Sequence, residues 1–468
     1  MNLKRRKHKK RFSFAGMLGS FAAAVILVGA ALANALRHPT RIFGWIMATK
    51  ARRAAAVAII IICVAAPLYY FYFARSTEAA WWNDMWRYRK KLTIDHDYVA
   101  GELQNFPVLV SLTDTDLASA AQSDGDDIAF TDGDGNKFAH EIESYTSSTG
   151  VLVAWVKIPN LTPSHDMDIY MYYGNPTCQT QQAPTDVWDD NFKMVQHLAD
   201  TGTGDRLDST ENNNDGVTGS YEGDESVDAR VGKGNDLDGT DTFTIAHQSY
   251  FNQKGLTFSA WARFDQLGYR YIARKGASAP WGLTCRVQGD SIGFSVRRID
   301  STEFQAVGSV VTATWYHITG VFGEDNLVTL YVNGSQVDQK TFSGELLTDA
   351  NGITVGGSAG FNMDGIIDEI RFSNTARSVQ WIQTEYNNQN SPSTFLSINS
   401  VQQERPGLPA GYWPFSEGYG ATTHDESGSG NNATITGATW AQESECVSGK
   451  CLRFDGSGDE VDAGDVSY

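Results

Sequence analysis

The sequence predicts an all-β chain. Tandem β-sandwiches, a small β-domain and then a double-sheet jelly roll, follow an N-terminal hydrophobic helical anchor. Three observations predict it. From Trp86 onward, short apolar runs alternate with Gly, Asp and Ser turns and show no long helical period. Strands of similar length continue from 187 to 403, which suits two packed sheets. The pattern then restarts. "HLADTGTGDRLDSTENNNDGVTG" at 197 is echoed by "YWPFSEGYGATTHDESGSGNNATITG" at 412, and "VGKGNDLDGTDTFTI" at 231 by "VSGKCLRFDGSGDEVDA" at 447. A spacing of about 215 residues indicates tandem copies of one domain rather than a solenoid.

The N-terminus, 1–80, reads as an address. Residues 14–36 and 54–74 are uncharged apolar runs, each long enough to cross a bilayer, and the second ends in an aromatic cluster suited to an interface. "MATKARR" from Met47 resembles the charged start of a signal sequence and offers an alternative start; "STEAA" at 76–80 offers small residues for cleavage. We therefore expect a membrane-anchored or secreted chain with extracellular β-domains. The formal charge is −18, but no acid precedes Glu78, while 13 of the 37 basic residues do. Everything after the anchor carries all 55 acids, a formal −31. Such a body repels nucleic acid and tolerates cations, so no nucleic-acid partner is expected.

Residues 86–176 form the first predicted domain. "TDGDGNKF" places Asp132, Asp134 and Asn136 at alternate positions, but the sixth place of a calcium loop holds Lys137 instead of Gly. A strand-like "HEIESY" follows, so a hairpin turn is the better reading. "WRYRKKLTI", "FPVLVSL", "DIAFTDGDG", "HEIESY", "AWVKIP" and "YYGNP", in this order, resemble a small β-domain of unknown function common in prokaryotic surface proteins. The resemblance implies a surface context and no activity.

The second domain, 187–403, contains two legible hairpins, turning at Gln288-Gly289-Asp290 and at Asn333-Gly334. Near its end, "MDGIIDEIRFSNTARS" carries adjacent carboxylates, Asp368 and Glu369, inside an apolar strand. Neighbouring strand residues face opposite ways, so one acid is expected in water and the other against the packed layer, where it needs a partner. "DSTENNNDG", "DLDGTD", "LTFSAWARF", "WYHITGVF", "LYVNG", "GIIDEIRFSNTARS" and "WIQTEYNN" together resemble the concanavalin A-like, laminin-G-like (LamG) domains. In that family the loop after the first strand meets the late Asp-Glu strand at one edge and often holds calcium. The resemblance thus implies a Ca²⁺ site at Asp208, Asn212, Asn214 and Asp368, whose oxygens suit that ion. Glu211 departs from the family's usual Gly. The alternative is that Asp208 and the asparagines make turns and Asp368 accepts backbone hydrogen bonds.

A linker, 404–411, leads to residues 412–468, which read as a truncated second LamG-like copy. Cys446 and Cys451 in "ECVSGKC" are close enough for a small disulfide loop or stand as two reduced thiols; no four-ligand zinc set is present. The expected function is a non-catalytic surface binder of a glycan or a surface protein, with Tyr269, Tyr271 and Trp281 as candidate stacking residues beside inter-strand loops. The rival readings are a spacer in a longer surface protein and, less favoured, a polysaccharide-degrading enzyme. The Glu-x-Asp-x-x-Glu strand pattern of the related glucanases is absent.

Overall fold

The computed structural model describes residues 81–464, apart from 277–282, 358–359, 401–402, 405–410, 428, 443–444 and 447–449. Both apolar N-terminal runs, and Trp281, lie outside the described residues. Among the described residues no helix is long and apolar enough to cross a membrane.

The first sandwich contains β1 (Tyr88–Ile94), β2 (Leu103–Thr113), α1 (Thr115–Ala120), β3 (Ala129–Thr131), β4 (His140–Thr146), β5 (Val151–Leu161) and β6 (Met167–Tyr173). β1 and β3 flank β6 in one sheet; β2, β5 and β4 make the other. Leu92, Ile94, Val108, Val110, Ile169 and Met171 are buried between them. The Asp132 segment is a turn. Its Oδ1 accepts the amides of Asp134 and Asn136, as expected for Asp in a tight loop.

α2 (Pro184–Val187) leads into the second sandwich: β7 (Phe192–Gln196), β8 (Gly216–Thr218), β9 (Ser226–Asp228), β10 (Lys233–Asp238), β11 (Phe243–Ile245), β12 (Leu256–Phe264), β13 (Arg270–Lys275), β14 (Leu283–Gln288), β15 (Ser291–Arg297), β16 (Glu303–Ser309), β17 (Trp315–Phe322), β18 (Leu327–Val332), β19 (Ser335–Thr341), β20 (Ile353–Val355) and β21 (Asp364–Ser373). One sheet runs β19-β18-β17-β12-β21-β10-β9, with β7 also on β21; the other runs β16-β15-β14-β13-β20-β11-β8. Phe258, Ala260, Phe264, Phe294, Ile318, Ile367 and Phe372 fill the space between them. Asn333 and Gly334 both have positive φ, 52° and 73°, the backbone that the predicted two-residue β18–β19 turn requires.

The jelly roll does not run unbroken to 403. After β21 come α3 (Val379–Asn390), α4 (Pro392–Phe395), β22 (Leu396–Ile398) and β23 (Gln403–Glu404). Both late strands pair with β1 of the first sandwich, Leu92 opposite Ile398 and Tyr88 opposite Glu404. The chain thereby covers an edge that would otherwise expose unpaired amides. α3 begins at Ser378, which caps Trp381 N, and its Asn388 side chain bonds both N and O of Leu109 in β2. Trp381, Phe395, Val195 and Phe192 join the first sandwich's core. Residues from Ala79 onward form one compact unit.

Neither acid of the opening motif faces water. Asp368 and Glu369 are 0% and 1% exposed. The register of β21 against β12 shifts here: Asp368 lies opposite Trp261 and Arg371 opposite Ser259, so Glu369 and Ile370 together face Ala260. This is a β-bulge, and Glu369 takes a positive φ of 51° within it. The opposite edge of β21 changes partner at the same place, from β10 (through Ile367) to β7 (from Ile370). The bulge removes the strict alternation behind the expectation of one wet and one dry carboxylate, and the first sandwich covers the outer face.

The covering creates a buried charge cluster. Glu369 Oε1 lies 2.7 Å from His197 Nδ1, and its Oε2 accepts Arg371 Nη2 at 2.6 Å. Arg371 Nη1 donates to Glu385 of α3 at 2.8 Å. From the first sandwich, Trp155 stacks on His197 and lies 4.3 Å beneath the Arg371 guanidinium, while Trp155 Nε1 donates to Glu143. Trp188 Nε1 donates to Glu141, which also faces His197. Asp368 Oδ2 accepts Val231 N, and its Oδ1 has no hydrogen-bond partner among the described residues. Burial opposes charge on His197, but Glu369 and Glu141 outweigh it and hold its pKa well above the usual imidazole range. Burial, reinforced by Glu369 against the pull of His197, pushes Glu143 up to about 7.

Residues 411–464 carry two small sheets, β24 (Thr422–Thr423) with β25 (Ala433–Thr436) and β28 (Glu460–Asp462), and β26 (Thr439–Trp440) with β27 (Leu452–Arg453). Cys446 and Cys451 are disulfide-bonded, with Cα atoms 5.6 Å apart. Cys285 is buried in the jelly-roll core, where burial raises its thiol to about 12.

Two expectations follow from the cluster. Arg371→Ala leaves Glu385 buried without its cation and Glu369 with His197 alone, and should lower stability by about 3–5 kcal/mol in urea denaturation. Each cluster group's contribution to the pH dependence has a definite sign. Glu143 keeps its proton in the folded state between about 4.5 and 7 while the unfolded chain loses it, and His197 stays protonated above its unfolded value. These two groups make stability fall as pH rises from 5 to 8, while His140 and His317, whose pKa values burial lowers to about 4 and about 3, oppose them below the usual imidazole value. Glu143→Gln should remove the part of the fall between 5 and 7 that Glu143 supplies, read as the difference between the two thermal-melt profiles.

Candidate ligand-binding face

The seven-stranded sheet has a polar outer face because alternate residues of its strands turn away from the core. Pairing places Tyr271 opposite Arg286, Arg286 opposite Gly293, Thr284 opposite Ser295 and Arg297 opposite Glu303. Ile272, Cys285, Phe294 and Val296 point inward. Glu303 organises the face. It accepts from Arg286 at 2.5 and 3.1 Å and from Ser295 Oγ at 2.7 Å, with Arg297 at 3.4 Å. Burial is the largest influence on Glu303, yet Arg286 and Ser295 outweigh it and hold its pKa below the usual carboxylate range.

At one end of this face the sequence-predicted Tyr269 and Tyr271 come together. Their hydroxyls lie 3.1 Å apart and their rings meet edge to face at 5.5 Å. Phe361 completes the group, 5.0 Å from Tyr269 and 45% exposed. Arg286 lies over Tyr269 and Arg274 over Tyr271. Phe361 was not singled out by sequence; it lies ninety residues beyond Tyr271 and arrives through a backbone bond from Tyr271 N to its carbonyl. Rings fixed by cations and by one another present apolar edges beside fixed donors and acceptors, the combination that suits a polyhydroxylated or mixed polar surface.

The residues assigned to calcium by resemblance fall into two places. Asp208, Asn212 and Asn214 share one loop. Asp208 Oδ1 accepts Val195 N and Thr210 N; its Oδ2 accepts Thr210 Oγ1 and Asn214 N. Asn212 Nδ2 donates to Phe192 O, and Asn214 Nδ2 to Lys193 O and the Tyr250 hydroxyl. Asp368 instead reaches Val231. Among the described residues, neither Asp208 nor Asp368 belongs to a set of three or more His, Cys, Asp or Glu side chains whose ligand atoms lie within 4.8 Å of one another. The Asp208 loop is rebuilt 217 residues on. Asp425 accepts the amides of Tyr412, Ser427 and Asn431, the counterparts of Val195, Thr210 and Asn214. The echo in the sequence is thus an echo of the same hydrogen-bonded turn.

With this geometry in hand, the kinship is clear. Residues 237–383 match the family model Laminin_G_3, described as the concanavalin A-like lectin/glucanases superfamily, and residues 124–213 match that of DUF2341, a domain of unknown function. A laminin-G-like sandwich follows a DUF2341-like domain. The DUF2341 match continues through β7 and the Asp208 loop of the laminin-G-like sandwich. Among solved structures, the chain is similar to the binding domain of Paraclostridial Mosquitocidal Protein 1, at 16% identity over 42% of this chain and 52% of that one, with a TM-score of 0.36. It is also similar to the botulinum neurotoxin serotype D binding domain, at 13% identity over 43% and 52%, with a TM-score of 0.36. The chain thus spans about half the length of these structures. No curated protein sequence matches it.

Removing the Asp208 carboxylate orphans three backbone donors at once. Asp208→Ala should cost about 1–3 kcal/mol in chemical denaturation, with Asp208→Asn milder because it keeps one acceptor.

Proposed function

We propose that this chain is a non-catalytic recognition protein, displayed at the cell surface or secreted, whose laminin-G-like sandwich binds a glycan through the outer face of its seven-stranded sheet. The observation that carries this reading is the Tyr269–Tyr271–Phe361 ring group beside the Arg286–Glu303–Ser295 network. The half-exposed Phe361 ring offers apolar surface on which the C–H face of a sugar can pack, and the charged network offers directional hydrogen bonds to hydroxyls. The laminin-G-like kinship and the −31 charge of the body agree with an extracellular role. The hydrophobic runs 14–36 and 54–74 would supply the membrane attachment. The absence of catalysis is part of the proposal. The adjacent acids of β21 are sealed from any substrate, and Glu303 is engaged by three neighbouring side chains. A surface protein presenting polar and apolar groups in a similar array is the alternative ligand for the same face.

Screening the intact chain on a glycan array should give discrete ligands, and Phe361→Ala and Tyr269→Ala should each weaken them by about tenfold, equivalent to about 1.4 kcal/mol. Binding that survives both substitutions unchanged would move the site elsewhere, and an array without ligands would leave a protein partner.

A further inference from the structure

A second region of the laminin-G-like sandwich carries chemistry that glycan recognition does not use. At the end where β10 turns into β11, the β8–β9 loop folds over to form a cleft of about 520 Å³. Its walls are carboxylates: Glu222 and Asp224 from the loop, Asp238 and Asp241 from the turn, and Asp265 and Asp364 at the ends of β12 and β21. Ligand oxygens of Glu222, Asp238 and Asp241 lie within 4.8 Å of one another, and Glu222 makes a similar group with Asp224 and Glu225.

Crowded surface acids alone would signify little. Asp241 supplies the second observation. It is 2% exposed and lines the cleft, its Oδ2 accepts Asp238 N at 2.9 Å, and its Oδ1 has no hydrogen-bond partner among the described residues. A buried carboxylate oxygen without a donor is costly, and here its neighbours are further acids. Neither nearby arginine pairs with Asp241, although one neutralises a wall of the cleft. Arg263 pairs with Asp265 on the rim, and Arg206 bonds Asn235 and the carbonyls of Gly202 and Gly204. Burial, with the charges of Asp238 and Glu225, pushes Asp241 up to about 6.

The second copy shows a different solution at a corresponding place. There Asp455 and Asp459 repeat the Asp238–Asp241 turn, with Asp455 N donating to Asp459 Oδ2. At the position of Asp236, another wall of the cleft, the second copy has Arg453, which pairs with Glu445 at 2.8 Å. Where that copy carries its own cation, the first carries one more acid.

We propose that this cleft is a binding site for a hard divalent cation, calcium by its chemistry, with Asp241, Asp238 and Glu222 as ligands. The donors are all oxygen, without His or Cys, which favours Ca²⁺ over transition metals. The open side leaves room for water to complete six to eight ligands, and such partly solvated sites bind at about 10⁻⁴–10⁻³ M in extracellular modules. The site is distinct from the Asp208–Asp368 set and does not depend on the proposed glycan face.

Isothermal titration of the intact chain with CaCl₂ tests it. The unsubstituted chain should bind in the 10⁻⁴–10⁻³ M range, and Asp241→Asn and Glu222→Gln should each weaken binding at least tenfold. Glu222 is exposed, so its substitution tests the site without endangering the fold. No binding at millimolar calcium, or binding that both variants retain, would overturn the assignment.

Discussion

The structure depends on how one strand edge is shared. β21 gives one edge to β12 along its length but divides the other between β10 and β7. The division leaves a gap in the ladder at Asp368 and Glu369. An open gap would bury unsatisfied backbone, so the chain inserts a bulge and plugs it with carboxylates, one reaching Val231 N and the other His197. Those carboxylates then demand compensation, because buried charge is tolerated only when paired.

That demand explains why two sandwiches behave as one body. Arg371 answers Glu369 from within the same strand, yet a lone Arg–Glu pair on an open sheet face would be a solvated surface contact of small value. The first sandwich lays Trp155, and the connecting segment Trp188, over the guanidinium and the imidazole, while Glu141 and Glu143 reach His197 and water is excluded. β22 and β23 then return to β1, so the chain crosses between the sandwiches twice. The glycan-binding face proposed here lies on the other sheet, which leaves it clear of this junction.

Much of this was legible in the sequence, and the remainder was illegible for physical reasons. Alternation exposed the strands, Asn333-Gly334 announced its turn, and the repeated Asp-rich loop marked the second copy. Asp368 and Glu369 misled because period-two reasoning assumes an unbroken ladder, and a one-residue bulge reverses every facing beyond it. Glu141 and Glu143 were read only as part of the "HEIESY" strand, since nothing local reveals that His197 and, for Glu143, Glu369 cover its face. The pairing of "LSI" and "QE" with β1 was illegible for a similar reason: they are strands because β1 offers them an edge. The pair Asp238 and Asp241 was seen as part of an echo, while its burial beside Glu222 emerges only from the packing of a separate loop.

Native-state hydrogen exchange on the intact chain tests the junction most directly. If the buried cluster and the returning strands join the sandwiches into one cooperative body, amides of β5 and of β12 will exchange through the same global opening, with the same denaturant dependence. Amides of β5 that open at markedly lower free energy, leaving β12 protected, would contradict the account and make the first sandwich a separately folding neighbour.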